Sequence, residues 1–450
     1  MTQAHTSTPD GVLVNAGMSR RRFVGGGLSI LGLAAAAGCS GVQAGLTPAA
    51  GTNENALDFF WYVEGDRARY TIDAARRFEE RNHGIVINTR HTAYAPYWDK
   101  LATETAGGNP PDVFQIELAR QAEYAARGSV AALTDLIPNL IERIEPEVLE
   151  SCTFDDEVHF IPTGLSTAPA LVFNDSLLRE VGVSTPPDSW LQRDYTAFCH
   201  EVRDASGGTA YGTSDLGGSH WALQAFARTR GEDPFTRDGR LGFSEETIAE
   251  WLAWWQELRE TEACVPMTRS AEGGGFENFP VITREAAVSS TASAKGMLGL
   301  QGLTDDELGL LPFPLADTSG PPGVMVVPIE WWAISARTTP EVAQLAGDFC
   351  SFVLTDEGSV DGLVIEHGIP VVPELRGRAR EGADAVVRRT IDDFERARSA
   401  EPRPVFPQPA GAGELFTQVL PTLNEDVGFG RLPLADAVRT FFTEAERILS

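Results

Sequence analysis

Basic residues are scarce: 36 lysines and arginines stand against 64 aspartates and glutamates in 450 residues, a formal net charge of −28. Such a surface repels phosphate backbones and anionic headgroups, which argues against nucleic acid and favours a neutral or cationic ligand over an anionic one. Cysteine is sparse as well. The five cysteines are widely spaced with no Cys-x-x-Cys pair, which excludes a cysteine-framed miniature fold and leaves the pairing of Cys152, Cys199, Cys264 and Cys350 unread. Long apolar runs are lacking: residues 23–38 form one marked stretch, short of the ~20 residues that a membrane-spanning helix needs.

Motifs of several common chemistries are also missing. In His200-Glu201-Val202-Arg203-Asp204, an aspartate stands where a zinc-protease helix needs its second histidine. Gly212-Thr213-Ser214-Asp215-Leu216 lacks the closing glycine of a nucleophile elbow, and no Gly-Lys-Ser/Thr phosphate loop occurs. Gly411-Ala412-Gly413 runs into Glu414-Leu415-Phe416 and so breaks a dinucleotide fingerprint. The seven histidines have no metal-ligand spacing. No metal or cofactor is therefore expected. A glycosidase needs only two carboxyl groups at a suitable separation in space, so that chemistry stays open.

What is present is ample core material, 42% hydrophobic and 9% aromatic, enough for two or three domains at ~150 residues each. Arg20-Arg21-Arg22-Phe23, the apolar run and Ala36-Ala37-Gly38-Cys39 read as a charged region, a hydrophobic region and a small-residue cleavage site. The paired arginines resemble a twin-arginine export signal, with the general secretory route as the alternative. Cys39 fits a bacterial lipobox, whose thiol is lipidated after cleavage. Residues 1–38 are thus expected to be a signal peptide, with Met18 an alternative start, and 39–55 a lipid-anchored tether. Its 16 residues after Cys39 span about 22 Å as a flexible chain.

From Ala56 the pattern alternates. Strands are expected at 57–63, 85–87 and 112–116, with helices around Tyr70, Ala74 and Phe78 and around 98–105. Later strands are expected at 170–173, 286–290 and 324–327, and helices at 245–260, 340–354 and 434–449. This alternation predicts largely parallel sheets covered by helices. Trp251, Trp254 and Trp255, at i, i+3 and i+4 after the N-cap Ser244, read as a core stripe. Ligands in open α/β sheets bind beyond the carboxyl ends of strands, which directs attention to Glu64, Glu117, Thr167, and Glu330-Trp331-Trp332. Indole and phenol rings pack on the apolar faces of sugars while carboxylates and hydroxyls bond the sugar hydroxyls; core packing is the plainer reading of each tryptophan alone.

The stretch FFWYVEGDRARYTIDAARRFEERNHGI, with YWDKLATETAGGNPPDVFQIELARQAEYAARGSVAAL, resembles the first lobe of family 1 extracellular solute-binding proteins of ABC importers, the maltose-binding-like group. FIPTGLSTAPALVFNDSLLREVGVSTPPDSW, EAAVSSTASAKGML, WWAISARTTPEVAQLAGDFCSFVLTDEG and HGIPVVPE continue the likeness in order over most of residues 56–450. The resemblance implies a two-lobed α/β fold of the type II periplasmic-binding-protein kind with a hinge and an interlobe cleft. Lobe one is expected at 56–162 with 283–335, and lobe two at 163–282 with 336–450. By motif alignment it implies ligand contacts at Glu64, Tyr97, Glu117, Thr167, His220, Trp221, Ser290, Trp331 and Trp332. Many relatives carry Gly-Gly before the AIS-type segment, where this chain has Ile329-Glu330-Trp331-Trp332; that bulk and charge are expected to reshape the pocket. The implied function is a non-catalytic, monomeric, lipid-anchored receptor that passes a carbohydrate or polyol to separate permease chains. Its rivals are an exported carbohydrate-active enzyme and a surface adhesin or sensor.

Overall fold

The computed structural model describes residues 54–63, 67–236, 238–291 and 293–450. The export and anchor segment, including Cys39, and the expected contact Glu64 lie outside the described residues. The chain builds strands β1 (Ala56–Tyr62), β2 (Val86–Thr92), β3 (Val113–Ile116), a small hairpin of β4 (Thr153–Phe154) and β5 (Glu157–Val158), then β6 (Ile161–Ala168) and β7 (Ala170–Asn174). β8 (Tyr211–Thr213), β9 (Ala286–Thr291), β10 (Leu308–Leu311) and β11 (Met325–Ile334) follow. They form two main sheets, ordered β2-β1-β3-β11-β6 and β10-β7-β9-β8.

Each sheet is parallel but for one strand. In the first, β11 runs antiparallel to both β3 and β6; in the second, β7 runs antiparallel to β10 and β9. The two reversed strands are those by which the chain enters a sheet from the other one, β6 leading into β7 and β10 into β11. The carboxyl ends of β1, β2 and β3 in one sheet and of β8 and β9 in the other therefore face the crossings, where a ligand site is expected in such sheets.

β1 shows how sequence makes the first core. Leu57, Phe59 and Trp61 alternate with Phe60 and Tyr62, so a central strand buries apolar residues on both faces. Phe59 lies 4.7 Å from the Trp61 ring and edge-on to Trp332 at 5.1 Å. The second core gathers around the helix Glu245–Glu260, capped by the Ser244 hydroxyl accepting from the Thr247 amide at 3.1 Å. Trp251, Trp254 and Trp255 are buried there, as their spacing predicts. The four described cysteines are buried and unpaired. No helix among the described residues is long and apolar enough to cross a membrane.

The expected lobe boundaries are corrected by the pairing. β9 and β10 fall inside 283–335, assigned to lobe one, yet both pair in the second sheet; β11 joins the first. Helices Pro340–Thr355 and Val360–His367, assigned to lobe two, pack on the first sheet. The cause is their apolar faces: Val342, Phe349 and Val353 cover the Phe59–Trp332 side that would otherwise be bare.

Candidate functional site

A cleft of about 770 Å³ opens where the strand ends of the two sheets meet, within the range of about 300–1,000 Å³ usual for small-molecule sites. On the first sheet's side, Tyr62 ends β1 and Tyr94 opens the helix Tyr94–Ala106, their rings edge to face at 5.1 Å. The Tyr94 hydroxyl donates to Glu117 Oε2 at 2.8 Å, and Arg120 Nε donates to Glu117 Oε1 at 2.8 Å. The Arg120 guanidinium lies 4.2 Å from the Trp98 ring centre. Burial above all, with the neighbouring carboxylates, pushes both phenols up, Tyr94 to about 12 and Tyr62 well above its usual range. Both hydroxyls thus keep their protons at neutral pH.

β11 supplies the floor. Its pairing with β6 shifts register between Pro328 and Glu330, a bulge that re-aims the strand. Ile329 and Trp331 line the cleft, and the Trp331 indole N–H reaches the Gln121 amide oxygen at 3.3 Å. The facing wall comes from His220 and Trp221, which open the helix His220–Arg228, and from Gly411, Gly413 and Phe416. Gly411 has φ +89°, and a Cβ there would lie 2.5 Å from Ile448 Cγ2, so only glycine lets the chain re-enter this lobe here. The lobes touch across the cleft: Trp221 packs at the edge of the buried cluster that includes Phe60, Val327, Trp331 and Val405.

His220 stacks on Phe416 at 5.4 Å and leans on Trp221 at 4.9 Å. Burial lowers its imidazole to about 4, and Gln224 Nε2 lies 3.1 Å from its Nδ1. With the amide N–H donating to Nδ1, the neutral ring carries its proton on Nε2. Because that ring stays neutral, we expect ligand affinity measured by titration to be flat from pH 8 to 5.5; a weakening centred near 6.5 would contradict this. Folding stability has the opposite sensitivity. The unfolded chain takes this proton near 6.5 and the folded one near 4, so His220 withdraws stability as pH falls between those values.

The expected contacts thus divide. Glu117, His220, Trp221 and Trp331 come together in the cleft. Tyr97 and Trp332 do not: both are fully buried, Tyr97 donating to the Gln115 carbonyl at 2.6 Å. Trp332 faces the opposite side of β11 from Trp331, as strand alternation requires. Thr167 is buried and donates to Asp393 Oδ2 at 2.6 Å, beside a separate cavity. Ser290 lines another depression. Glu330 is turned from the cleft by the bulge into a buried network, accepting from Lys295 Nζ at 2.9 Å with His367 Nδ1 at 3.2 Å. The bulk expected at 329–332 does line the cleft through Ile329 and Trp331, but the charge does not. Tyr62, Tyr94 and Phe416 were not anticipated. Tyr62 and Tyr94 sit directly at or after strand ends, a legible signal; Phe416 lies about 200 residues from its partner His220 in a one-turn π-helix, Leu415–Val419, with none.

This geometry defines a two-lobed binder of a small molecule, and comparison places it in a family. The profile of bacterial extracellular solute-binding proteins matches residues 73–379. The chain belongs to that family. Among solved structures, it is similar to a family 1 extracellular solute-binding protein from Alicyclobacillus acidocaldarius, at 24% identity, TM-score 0.68, covering 88% of this chain and 98% of the other. A Listeria monocytogenes ABC substrate-binding protein in complex with cycloalternan shares 16% identity at TM-score 0.73, with coverages of 87% and 98%. A Yersinia enterocolitica periplasmic oligogalacturonide-binding protein in complex with saturated digalacturonic acid shares 17% at 0.74, with coverages of 88% and 98%. At these identities they establish the fold.

Proposed function

We propose that the protein captures a neutral carbohydrate or related polyol in this cleft, without turnover, and delivers it to the permease of an ABC importer from a lipid anchor at Cys39. The observation that carries this is an aromatic cleft, contributed by both lobes, whose lining charges are already paired. Glu117 is held by Arg120, Glu123 by Arg127 at 2.8 Å and Glu414 by Arg447 at 2.7 Å. Tyr62, Tyr94 and Trp221 offer ring faces and the Tyr62 hydroxyl a donor, the chemistry that suits a sugar's apolar face and hydroxyls. Arg120, engaged by Glu117 and placed over Trp98, is poorly disposed to grip a uronate. A neutral ligand, of the kind bound by the Listeria protein, fits better than the acid bound by the Yersinia one.

The two sheets and their helices would act as lobes turning about the crossings near 168–170, 312–324 and 400–411, with ligand contacts to both favouring closure. Trp221 and Trp331 report on this directly. Titration with neutral oligosaccharides is expected to change tryptophan emission saturably, and the corresponding oligouronides to leave it unchanged. A response to the uronides alone would overturn the assignment of a neutral ligand.

A further inference from the structure

A second depression of about 220 Å³ lies at the carboxyl ends of the parallel pair β8 and β9. Its walls are hydroxyl-rich: Ser214 follows β8, Ser289 and Ser290 belong to β9, and Ser219 caps the helix His220–Arg228. Across from them stand Asn278 and the loop at Gly273 and Gly274. Its location matters more than its size. Ser219 lines this depression while the next two residues, His220 and Trp221, line the main cleft. Likewise Ser290 lines it while Ser293, three residues on, lines the cleft. One helix start and one strand end thus contribute lining residues to both spaces.

The depression carries no free charge to attract an ion. Asp215 is buried and bound by Arg259 Nε at 2.7 Å, and Arg269 is shared between Glu285 and the Asn278 carbonyl. What it offers are neutral groups with capacity to spare. The Ser219 hydroxyl, half-buried, accepts from the Ala222 amide at 3.3 Å and retains its own proton to donate, while the buried Ser289 hydroxyl accepts from the Val281 amide at 3.1 Å. The loop opposite is fixed by its glycines: Gly274 has φ +121°, and a Cβ there would lie 2.5 Å from Asn278 Nδ2.

We propose that this depression is an outer subsite for a further sugar ring, so that the protein prefers linear oligosaccharides running from the Tyr94–Trp331 cleft past the end of the His220–Arg228 helix. The proposal rests on the carbohydrate reading above. Ser290→Phe fills the depression from the strand side, and Asn278→Trp obstructs it from the exposed rim. Calorimetry would use neutral gluco- and galacto-oligosaccharides of one to four rings on wild type and both variants, with melting temperatures as a fold check.

For wild type, affinity is expected to rise tenfold or more on adding the ring that reaches the depression. In the variants, shorter ligands keep their affinity and that increment disappears. If Ser290→Phe does not fold, Asn278→Trp alone decides. Equal affinity for short and long ligands in wild type, or an increment that survives Asn278→Trp, overturns the subsite while leaving the carbohydrate reading intact. Failure of every length to bind overturns both.

Discussion

Replacing Trp221 with alanine is expected to weaken carbohydrate binding by ten- to a hundredfold, or about 1.4–2.8 kcal/mol. The indole works twice. It lines the cleft from the second lobe, and it packs at the edge of the first lobe's buried cluster, so that it joins a ring face for the ligand to the contact between lobes. Trp221 sits at the first turn of its helix and is only partly buried. Its removal should therefore leave the core built on Trp251, Trp254 and Trp255 intact. Calorimetric affinity beside an unchanged melting temperature is the expected pair of results; wild-type affinity would remove Trp221 from the site.

Glu330→Gln should act on stability instead. Burial raises the cost of the Glu330 charge, but Lys295 first and then His367 outweigh it and hold the carboxyl at about 2. The variant strands Lys295, whose side chain is 9% exposed, without its counter-charge. Breaking a buried pair in this way costs about 3–5 kcal/mol, read as a lower midpoint in urea. The double variant Glu330→Met with Lys295→Met should recover much of the loss, because neither charge then stays buried alone.

The acid limb follows with its sign fixed. The carboxyl is lowered from 4.5 to about 2, so its stabilisation is complete above 4.5 and is lost as pH falls through 2. That amounts to about 3 kcal/mol. In Glu330→Gln this part of the acid dependence is expected to vanish. An unchanged urea midpoint would show that the network carries little stability.

The network also explains a close packing that sequence does not announce. A Cβ on Gly164 would fall 2.1 Å from the His367 carbonyl oxygen, so glycine in β6 is what lets the end of the helix Val360–His367 reach Glu330 and complete the ring of contacts. The Glu366 carboxylate continues it, accepting from the Trp61 indole and the Thr71 amide, each at 3.0 Å.

Legibility in the sequence followed the range of the interaction. Helices with strong local signals, such as Glu245–Glu260 with its Ser244 cap and Leu434–Leu449 with its apolar period, are read to the residue. β11 was expected to end at 327 and continues to Ile334; Pro328 and the bulge interrupt its pattern, while pairing with β3 and β6 holds it together. The lobe boundaries were less legible still. Which sheet a strand joins depends on partners more than 100 residues away, as when β9 pairs with β7.

At the site the same division holds. Glu117 after β3 and the His220-Trp221 pair were identified by position or motif. Between Trp331 and Trp332, adjacent and identical in type, only the parity of the strand decides which one meets the cleft. Tyr97 was displaced in the same way by Tyr94, one helical turn earlier, which faces the cleft while Tyr97 faces the sheet. Glu330 kept its charge but lost its expected role, because Lys295 and His367 reach it first.

The cleft is proposed to hold a neutral carbohydrate and to leave it unchanged. Calorimetric titration of residues 56–450 against neutral mono- and oligosaccharides, uronates, polyols and amines, with chromatography of each mixture afterwards, tests it most directly. The predicted result is saturable, stoichiometric binding of a neutral saccharide recovered intact. Consumption of the sugar, or binding confined to charged ligands, would contradict it.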